Sequence, residues 1–447
     1  MRIGIATVEI TPPFLMPMGG FGMRLDHADG MRDPLLMTAV FFEDSGRQAW
    51  LVAADLVQFP DGEPFRQGVD GVAGRLGCPR EALFLNASHT HGGPEMNPGY
   101  AILTPAMIVQ RSPQNQKLIE RYHEFLWNQL AEVCASARDG AFAGRLVYGE
   151  GKTAFPMNRR AWMGGRIENA PNPDGPIEDR LRLLGVEDKA GCLRALGLIL
   201  AAHPTATGAQ HHFTADFVGA WRECIRMECE PGVQPFFLQA CGGDMRPAFT
   251  REGDHWRRIP FSELEQMGAN LARETAAVLK SGLQPLGDAC LRSGRSEVCL
   301  DCLPRYTKPE DCQILIESEI PWEREFAEEA CRRFERGESL PDRVTIQLTW
   351  LQLSRDLALL GMGCEPLVAL GRKIETAFAD LRVVVLGYTN GCNVYVPDTG
   401  ELKRGGYEAE SYLFDGFCGP FEDGLEVPII DAFREIHRRH IQDNHSF

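Results

Sequence analysis

The chain has 447 residues, of which 44% are hydrophobic and 24% are charged, and its formal net charge is −16. This length is sufficient for a large core, and the acidity argues against binding to nucleic acid or to an anionic membrane, since both are negatively charged. The first ten residues contain no basic region followed by a long apolar run, and no stretch approaches about 18 uninterrupted apolar residues. We therefore expect a cytoplasmic protein without stable membrane association, whose 14 cysteines are reduced thiols.

Short apolar runs typical of strands alternate along the chain with amphipathic patterns typical of helices. The predicted strands are 3–10, 39–42, 50–54, 83–86, 146–149, 196–202, 236–238, 344–353, 357–362 and 383–387. The predicted helices are 116–136, 217–229, 261–280, 321–335, 366–379 and 429–442. This alternation predicts an α/β fold with helices flanking a β-sheet core. The sheet is expected to be mixed, because the closely spaced runs 344–353 and 357–362 require an antiparallel hairpin.

Residues 155–178 are rich in Gly, Pro and Asn and predict a long loop, which we expect to shape a pocket together with the segment 92–114. No internal repeat, low-complexity tract or clear boundary divides the chain. The sequence therefore predicts a single domain over residues 1–447 and leaves the oligomeric state open.

The apolar run 82–85 leads into the segment Asn86–Glu95, which contains His89, His91 and a Gly-Gly-Pro turn. Residues two apart in an extended chain point the same way, so both imidazoles are directed together at the end of a strand. Imidazole binds zinc and also transfers protons near neutral pH. A lone His-x-His pair is equally compatible with turn capping or core packing, and a zinc site requires further ligands from elsewhere in the chain.

Three other predicted strands also end near residues that can bind a metal. His203 ends an apolar run and precedes a proline, which breaks regular structure. Glu365 follows the run 357–362, where a lone buried carboxylate is costly unless it is paired or bound to a metal. Tyr395 lies shortly after the last predicted strand. Because α/β enzymes build their sites at strand ends, these residues together favour a metal centre more strongly than any one of them.

Other residues near these strand ends have more than one interpretation. Asp216 precedes a predicted helix and is expected to be its N-cap. Asp244 either orients a ligand histidine or holds its own turn. Cys241 and Cys392 lie near the predicted site and support the alternative hypothesis of a thiol-dependent enzyme.

These motifs resemble those of the neutral (alkaline, non-lysosomal) ceramidases and their catalytic domain. The family motif His-Thr-His-Ser-Gly-Pro compares with residues 89–94, a strand ending in His-Pro-Thr with 203–205, and an Asn-Arg pair with 158–159. Further matches are a Gln-x-x-x-Gly-Asp-x-x-Pro turn at 239–247, a Gly-Glu at 363–365 with one residue inserted, two tyrosines at 395 and 407, and N-terminal elements at 9–13 and 54–56.

The resemblance implies a ceramidase-like catalytic domain with a bound zinc ion. Carried over position by position, the implied zinc ligands are His89, His203, Glu365 and Tyr395. The resemblance also implies that His91 transfers a proton or stabilises an oxyanion, and that Arg159 and Tyr407 lie beside the scissile carbonyl. Ala240 stands where the family usually has serine, which excludes nucleophilic serine chemistry there. The chain is also expected to lack the C-terminal β-sandwich domain of the ceramidases, which argues against a long-chain lipid substrate.

We therefore expect a zinc-dependent hydrolase of the amidase type that cleaves a soluble N-acyl small molecule by metal-activated water. The same zinc site is compatible with esterase or lactonase activity. The remaining alternatives are the thiol-dependent enzyme and a non-catalytic binding protein that kept the fold, for which Ala240 is the best support.

Overall fold

The computed structural model of the protein describes residues 1–22, 24, 26–97, 112–392 and 394–442. Its strands are β1 Arg2–Glu9, β2 Gly30–Met31, β3 Leu36–Asp44, β4 Arg47–Ala54, β5 Leu83–Ala87, β6 Phe142–Lys152, β7 Pro156–Met163, β8 Arg166–Asn172, β9 Arg180–Asp188, β10 Leu193–Leu200, β11 His212–Phe213, β12 Gln234–Gln239, β13 Met245–Pro247, β14 Arg251–Glu252, β15 His255–Trp256, β16 Gln284–Pro285, β17 Ala289–Asp301, β18 Arg343–Ser354, β19 Leu357–Met362, β20 Glu365–Pro366, β21 Arg382–Leu386 and β22 Tyr395–Val396. The α-helices are α1 Gly62–Leu76, α2 Pro113–Asp139, α3 Phe217–Glu228, α4 Phe261–Ser281, α5 Gln313–Ile316, α6 Pro321–Glu335, α7 Val368–Thr376, α8 Thr399–Arg404, α9 Tyr412–Asp415 and α10 Glu426–Gln442. Of the segment 92–114, which the sequence predicts to shape the pocket, residues 98–111 lie outside the described residues.

The largest sheet within these described ranges has nine strands, in the order β12-β10-β9-β6-β1-β3-β4-β5, with β16 paired to β6. The pairs β4–β5 and β10–β12 are parallel, whereas β1–β3 and β6–β9 are antiparallel. The sheet is therefore mixed, as the sequence predicts.

A second sheet has the order β17-β18-β19-β21. The hairpin predicted from the sequence is present, with Leu348 of β18 opposite Met362 of β19, while β19 and β21 run parallel. Isolated bridges from Asn86 to Thr389 and from Ala240 to Leu386 connect the two sheets. These bridges bring the ends of β5, β12 and β21 together.

Alternate residues of β4 show how the layers are stacked. Trp50 and Val52 lie in a core shared with α1 and α2, whereas Leu51 and Ala53 lie in a core between the two sheets. On the second sheet, Trp350 lies in a further core with α7 and α10. The layers therefore run helix, sheet, sheet, helix, which confirms the predicted α/β class with mixed sheets flanked by helices.

One local prediction from the sequence is wrong. The region 155–178 is not a plain loop, because it contains the β7–β8 hairpin, which turns at Gly164 and Gly165 with φ of 59° and 91°. Neither strand of the hairpin shows a regular apolar alternation, since the strands contain Asn and Pro as well as buried arginines.

The sequence analysis also made no prediction for the helix α1, because three glycines in its interior weaken the helical pattern.

Two predictions concern the chain as a whole, namely its membrane association and its domain organisation. No helix within the described ranges is both long and apolar enough to cross a membrane. The organisation of residues 1–447 as one domain without a C-terminal β-sandwich stays a prediction.

Two buried asparagines tie the two sheets together at the strand ends. Asn86 accepts a hydrogen bond at Oδ1 from the Gln239 amide at 2.8 Å, and its Nδ2 donates to the Gly387 carbonyl at 2.8 Å. Asn390 Oδ1 accepts from the Leu85 amide at 3.0 Å. Both side chains are fully buried, so each satisfies backbone groups that water cannot reach.

Replacing Asn86 with alanine is expected to lower the free energy of unfolding by about 2 to 4 kcal/mol, because buried backbone groups of β12 and β21 would lose their partners. Urea unfolding followed by tryptophan fluorescence measures this difference. The control is Asn128→Ala, at an exposed position on α2, which is expected to change stability by less than about 0.5 kcal/mol. Equal stabilities of the two variants would contradict the role assigned to Asn86.

Candidate metal centre

His89 lies just beyond the end of β5 and has a φ of 63°. This left-handed conformation is uncommon for a residue with a side chain, and it turns the chain out of the strand. The imidazole is buried, and its Nδ1 donates a hydrogen bond to the Val57 carbonyl at 2.8 Å. That bond determines the tautomer, so the lone pair of Nε2 is available to bind a cation.

His203 is held in the same way beyond the end of β10. Its Nδ1 faces the carbonyl of Gly242 at 2.7 Å, in the turn that follows β12, and the carbonyl of Met245 at 3.2 Å, at the start of β13. The side chain is completely buried, and its Nε2 makes no hydrogen bond of standard geometry to any described residue, although Glu365 Oε2 lies 3.2 Å away. A buried nitrogen without such a hydrogen bond is a rare arrangement, and it points to a ligand at this position.

Glu365 occupies the first position of β20 and completes the cluster. Its Oε2 lies 3.2 Å from His89 Nε2 and 3.2 Å from His203 Nε2. A tetrahedral ion with bonds of about 2.0 Å separates its ligand atoms by roughly 3.3 Å. Both distances from the carboxylate oxygen to the histidine nitrogens are therefore close to the separation expected for two ligands of one metal ion.

The protonation states of the cluster also suit a metal. Burial lowers the pKa of His203 to about 4, and the charge of Arg159 acts in the same direction. Burial alone would raise the pKa of Glu365, but the imidazoles of His89 and His203 hold it well below its usual value. At neutral pH His203 is thus a neutral imidazole and Glu365 an ionised carboxylate, which are the forms that bind metals.

His91 belongs to the same cluster, since the ligand atoms of His89, His91 and His203 all lie within 4.8 Å of one another. Its Nε2 is 3.1 Å from His89 Nε2, while its Nδ1 has no hydrogen-bond partner in the described part of the chain. Burial, followed by the two neighbouring imidazoles, lowers the pKa of His91 well below its usual value. This group of three histidines can hold a metal ion, and the distinct catalytic role of His91 stays a prediction.

The remaining predicted site residues form an adjoining cluster. Tyr395 lies opposite Glu365 in the parallel pairing of β20 and β22. Its hydroxyl accepts a hydrogen bond from Arg159 Nη2 at 3.1 Å, and the Arg159 Nε donates to Glu408 at 2.7 Å. The Tyr407 ring lies 5.7 Å from that of Tyr395 and is 37% exposed. The structure thus brings all seven predicted residues into two neighbouring groups, while their roles as ligands or catalysts stay predictions.

Sequence reasoning did not identify Tyr388, whose hydroxyl donates to Glu365 Oε2 at 3.3 Å. The ring also lies 4.3 Å from the His89 ring, and the residue has a φ of 53°. Its only signal in the sequence is its position directly after β21, in a stretch with glycines on either side.

The structure also distinguishes between the alternative interpretations of residues near the site. The Cys241 thiol donates to the Val385 carbonyl at 3.7 Å, and burial raises the pKa of both Cys241 and Cys392 well above the usual value. Asp244 accepts hydrogen bonds from the Val368 amide and the Asn158 side chain, so it holds its turn. Asp216 accepts from the first amide of α3 and is the predicted N-cap.

The fold is that of a neutral ceramidase. The crystal structure of neutral ceramidase from Pseudomonas aeruginosa superposes with a TM-score of 0.72 at 18% sequence identity, over 98% of this chain and 74% of that chain. A structure of ceramidase complexed with C2 gives a TM-score of 0.70 at 17% identity, over 97% of this chain and 74% of that chain. No protein-family model and no curated protein sequence matches the chain. The resemblance seen in the motifs is therefore confirmed at the level of the fold.

The purified protein, incubated with zinc and then desalted, is expected to retain about one ion per chain. Glu365→Gln and His203→Ala are each expected to weaken zinc binding at least tenfold. Even the loss of a residue that only orients a metal ligand typically lowers metal affinity by about tenfold or more. Mass spectrometry of the metal content at a fixed free zinc concentration measures this loss. The exposed control Glu265→Gln should retain the ion, and full metal content in Glu365→Gln would contradict the site.

Proposed function

We propose that the protein is a zinc-dependent hydrolase that cleaves the amide bond of a soluble N-acyl compound. The observation that carries this proposal is the convergence of His89, His203 and Glu365 at the strand ends. The fold adds support for amide hydrolysis, because both similar structures are ceramidases by name.

Zinc is the metal we propose, because two imidazoles and one carboxylate are a donor set typical of catalytic zinc. Tyr395, which lies opposite Glu365, is proposed as an additional ligand. When bound, zinc supplies a Lewis acid that polarises a carbonyl and lowers the pKa of water toward about 7.

Three residues of the chain are proposed to act on the substrate. His91 is neutral because its pKa is lowered, so its Nε2 is able to take up a proton and return it to the leaving nitrogen. Arg159 is held in place by Glu408, and its guanidinium is available to stabilise negative charge on the substrate oxygen. Tyr407 is partly exposed beside Arg159, where its hydroxyl is available to donate to the same oxygen.

Two alternative functions receive less support. A thiol-dependent enzyme requires an accessible thiolate, whereas both Cys241 and Cys392 are buried with a raised pKa. A non-catalytic relic was suggested by Ala240, but this residue packs in the core between the two sheets and leaves the histidine cluster intact. The same metal site is also compatible with ester or lactone hydrolysis, so all three bond types belong in a substrate screen.

Removing the metal with a chelator is expected to abolish turnover of N-acyl substrates, and added zinc should restore it. Treatment with iodoacetamide is expected to leave turnover unchanged, because the candidate thiols are buried and protonated. Release of the amine product measures both effects. Turnover that survives chelation but is lost on alkylation would reverse the assignment.

Tyr407→Phe is expected to lower kcat by about tenfold or more, because it removes a proposed hydrogen-bond donor to the developing oxyanion. Stability should hardly change, since the ring remains in contact with Tyr395 and Phe414. The control is Tyr148→Phe, which removes a hydroxyl bonded to Glu150 in β6 and should not alter kcat. An unchanged kcat in Tyr407→Phe would remove this residue from the mechanism.

A further inference from the structure

Most buried arginines near the core of this protein have a carboxylate partner. This is expected, because a buried guanidinium without a counter-charge loses its hydration without compensation. The pairs are Arg159 and Arg160 with Glu408, Arg182 with Glu375, and Arg222 with Asp55.

Arg246 is partly buried and differs from these residues, and its backbone adjoins the metal centre. It follows Met245, whose carbonyl faces His203 Nδ1 at 3.2 Å. Its Nε is buried without a hydrogen-bond partner among the described residues, and its guanidinium lies 4.9 Å from the Trp256 ring. The acid that acts on it electrostatically is Asp216, which is already engaged by the amides of the α3 N-terminus and a neighbouring loop. Arg246 is therefore a cation without a committed counter-ion.

Arg246 lies close enough to Arg159 for the two charges to interact. Arg246 of β13 lies opposite Met157 of β7, and Arg159 is two residues further along β7, where the pairing of β7 with β8 is irregular. Burial and the charge of Arg159 lower the pKa of Arg246 to about 10, which leaves both groups charged at neutral pH.

A second group beside Arg246 also lacks a partner. The indole Nε1 of Trp256 is buried and makes no hydrogen bond to any described residue. An indole N–H is a donor only, and so is a guanidinium. The guanidinium of Arg246 and the indole N–H of Trp256 are therefore two neighbouring donors that could share one acceptor. A carboxylate provides acceptor oxygens together with negative charge.

Arg24 extends this pattern to the other histidine motif. It is 3% exposed, and its Nη2 donates to the His91 carbonyl at 2.8 Å, while Nε and Nη1 have no partner in the described part of the chain. Gly20, with a φ of 90°, allows this segment to pack directly against the His91 ring. Arg24 and Arg246 thus bring guanidinium groups close to the two histidine motifs, and the buried carboxylate that acts electrostatically on Arg24 is Glu95.

We propose that Arg246, assisted by the Trp256 N–H, binds a carboxylate of the substrate, so that the substrates are anionic amides such as N-acyl amino acids. This inference rests on the proposed hydrolase function and names its substrate class. A protein with a net negative charge repels anionic substrates at long range. The guanidinium of Arg246 offsets this repulsion locally, because its planar pair of N–H donors matches the geometry of a carboxylate.

The test compares three amides of similar size. N-hexanoylglycine carries a carboxylate on the amine side, N-butylglutaramic acid carries one on the acyl side, and N-hexanoylglycinamide is neutral. The zinc-loaded protein is expected to cleave one of the two acids with a kcat/KM about tenfold or more above that of the neutral amide. Whichever acid is preferred identifies the side of the scissile bond that Arg246 recognises.

Arg246→Gln is expected to remove this preference by raising KM for the preferred acid, while kcat/KM for the neutral amide stays within about threefold. The control is Arg258→Gln, which removes the same charge at an exposed position two residues after Trp256 and should keep the preference. The thermal unfolding midpoint of each variant verifies that the fold is retained. The proposal is overturned if the wild type does not prefer an acid, or if Arg246→Gln and Arg258→Gln behave alike.

Binding measurements separate this proposal from the function on which it rests. Calorimetry with N-hexanoylglycine and N-butylglutaramic acid is expected to show weaker binding of the preferred acid to Arg246→Gln than to the wild type. If no amide is cleaved, the hydrolase proposal has failed, and the calorimetry still decides whether Arg246 binds a carboxylate. Equal affinities in the wild type and the variant would overturn it.

Discussion

The arrangement of the candidate site depends on one carboxylate, that of Glu365, lying between two buried imidazoles. Charges of this kind are costly in a protein interior unless they are compensated. The lowered pKa of His203 keeps that imidazole neutral at neutral pH, so it brings no positive charge to the carboxylate that lies 3.2 Å from its Nε2. A bound cation would supply positive charge at this position.

The two-sheet architecture explains how residues so far apart in sequence meet. β5 and β10 belong to the large sheet and deliver His89 and His203, whereas β19 and β21 belong to the second sheet and lead to Glu365 and Tyr388. The buried Asn86 links the ends of these strands through hydrogen bonds to both sheets. Backbone carbonyls, rather than acidic side chains, then orient both histidines, which keeps the negative charge of the centre on a single group.

The sequence identified a set of residues that the structure brings close together, because each follows an apolar strand; their roles as ligands stay predictions. It could not predict that the strands form two facing sheets, since pairing between distant segments leaves no local pattern. The hairpin of β7 and β8 was hidden by its Asn and Pro content, although it carries Arg159. Tyr388 was missed for a related reason, because its role depends on a left-handed backbone and on contact with Glu365 across the chain. Arg246 likewise could not be identified from the sequence as a binding residue, because the absence of an ion-pair partner among the described residues is visible only in the structure.

We propose that His89, His203 and Glu365 share one zinc ion. The most direct test is a crystal structure of the zinc-loaded protein with anomalous diffraction recorded on both sides of the zinc absorption edge. The expected result is one strong zinc-specific peak at about 2.0–2.2 Å from His89 Nε2, His203 Nε2 and a Glu365 oxygen. A zinc peak elsewhere, or a peak at this position that is not bonded to all three side chains, would contradict it.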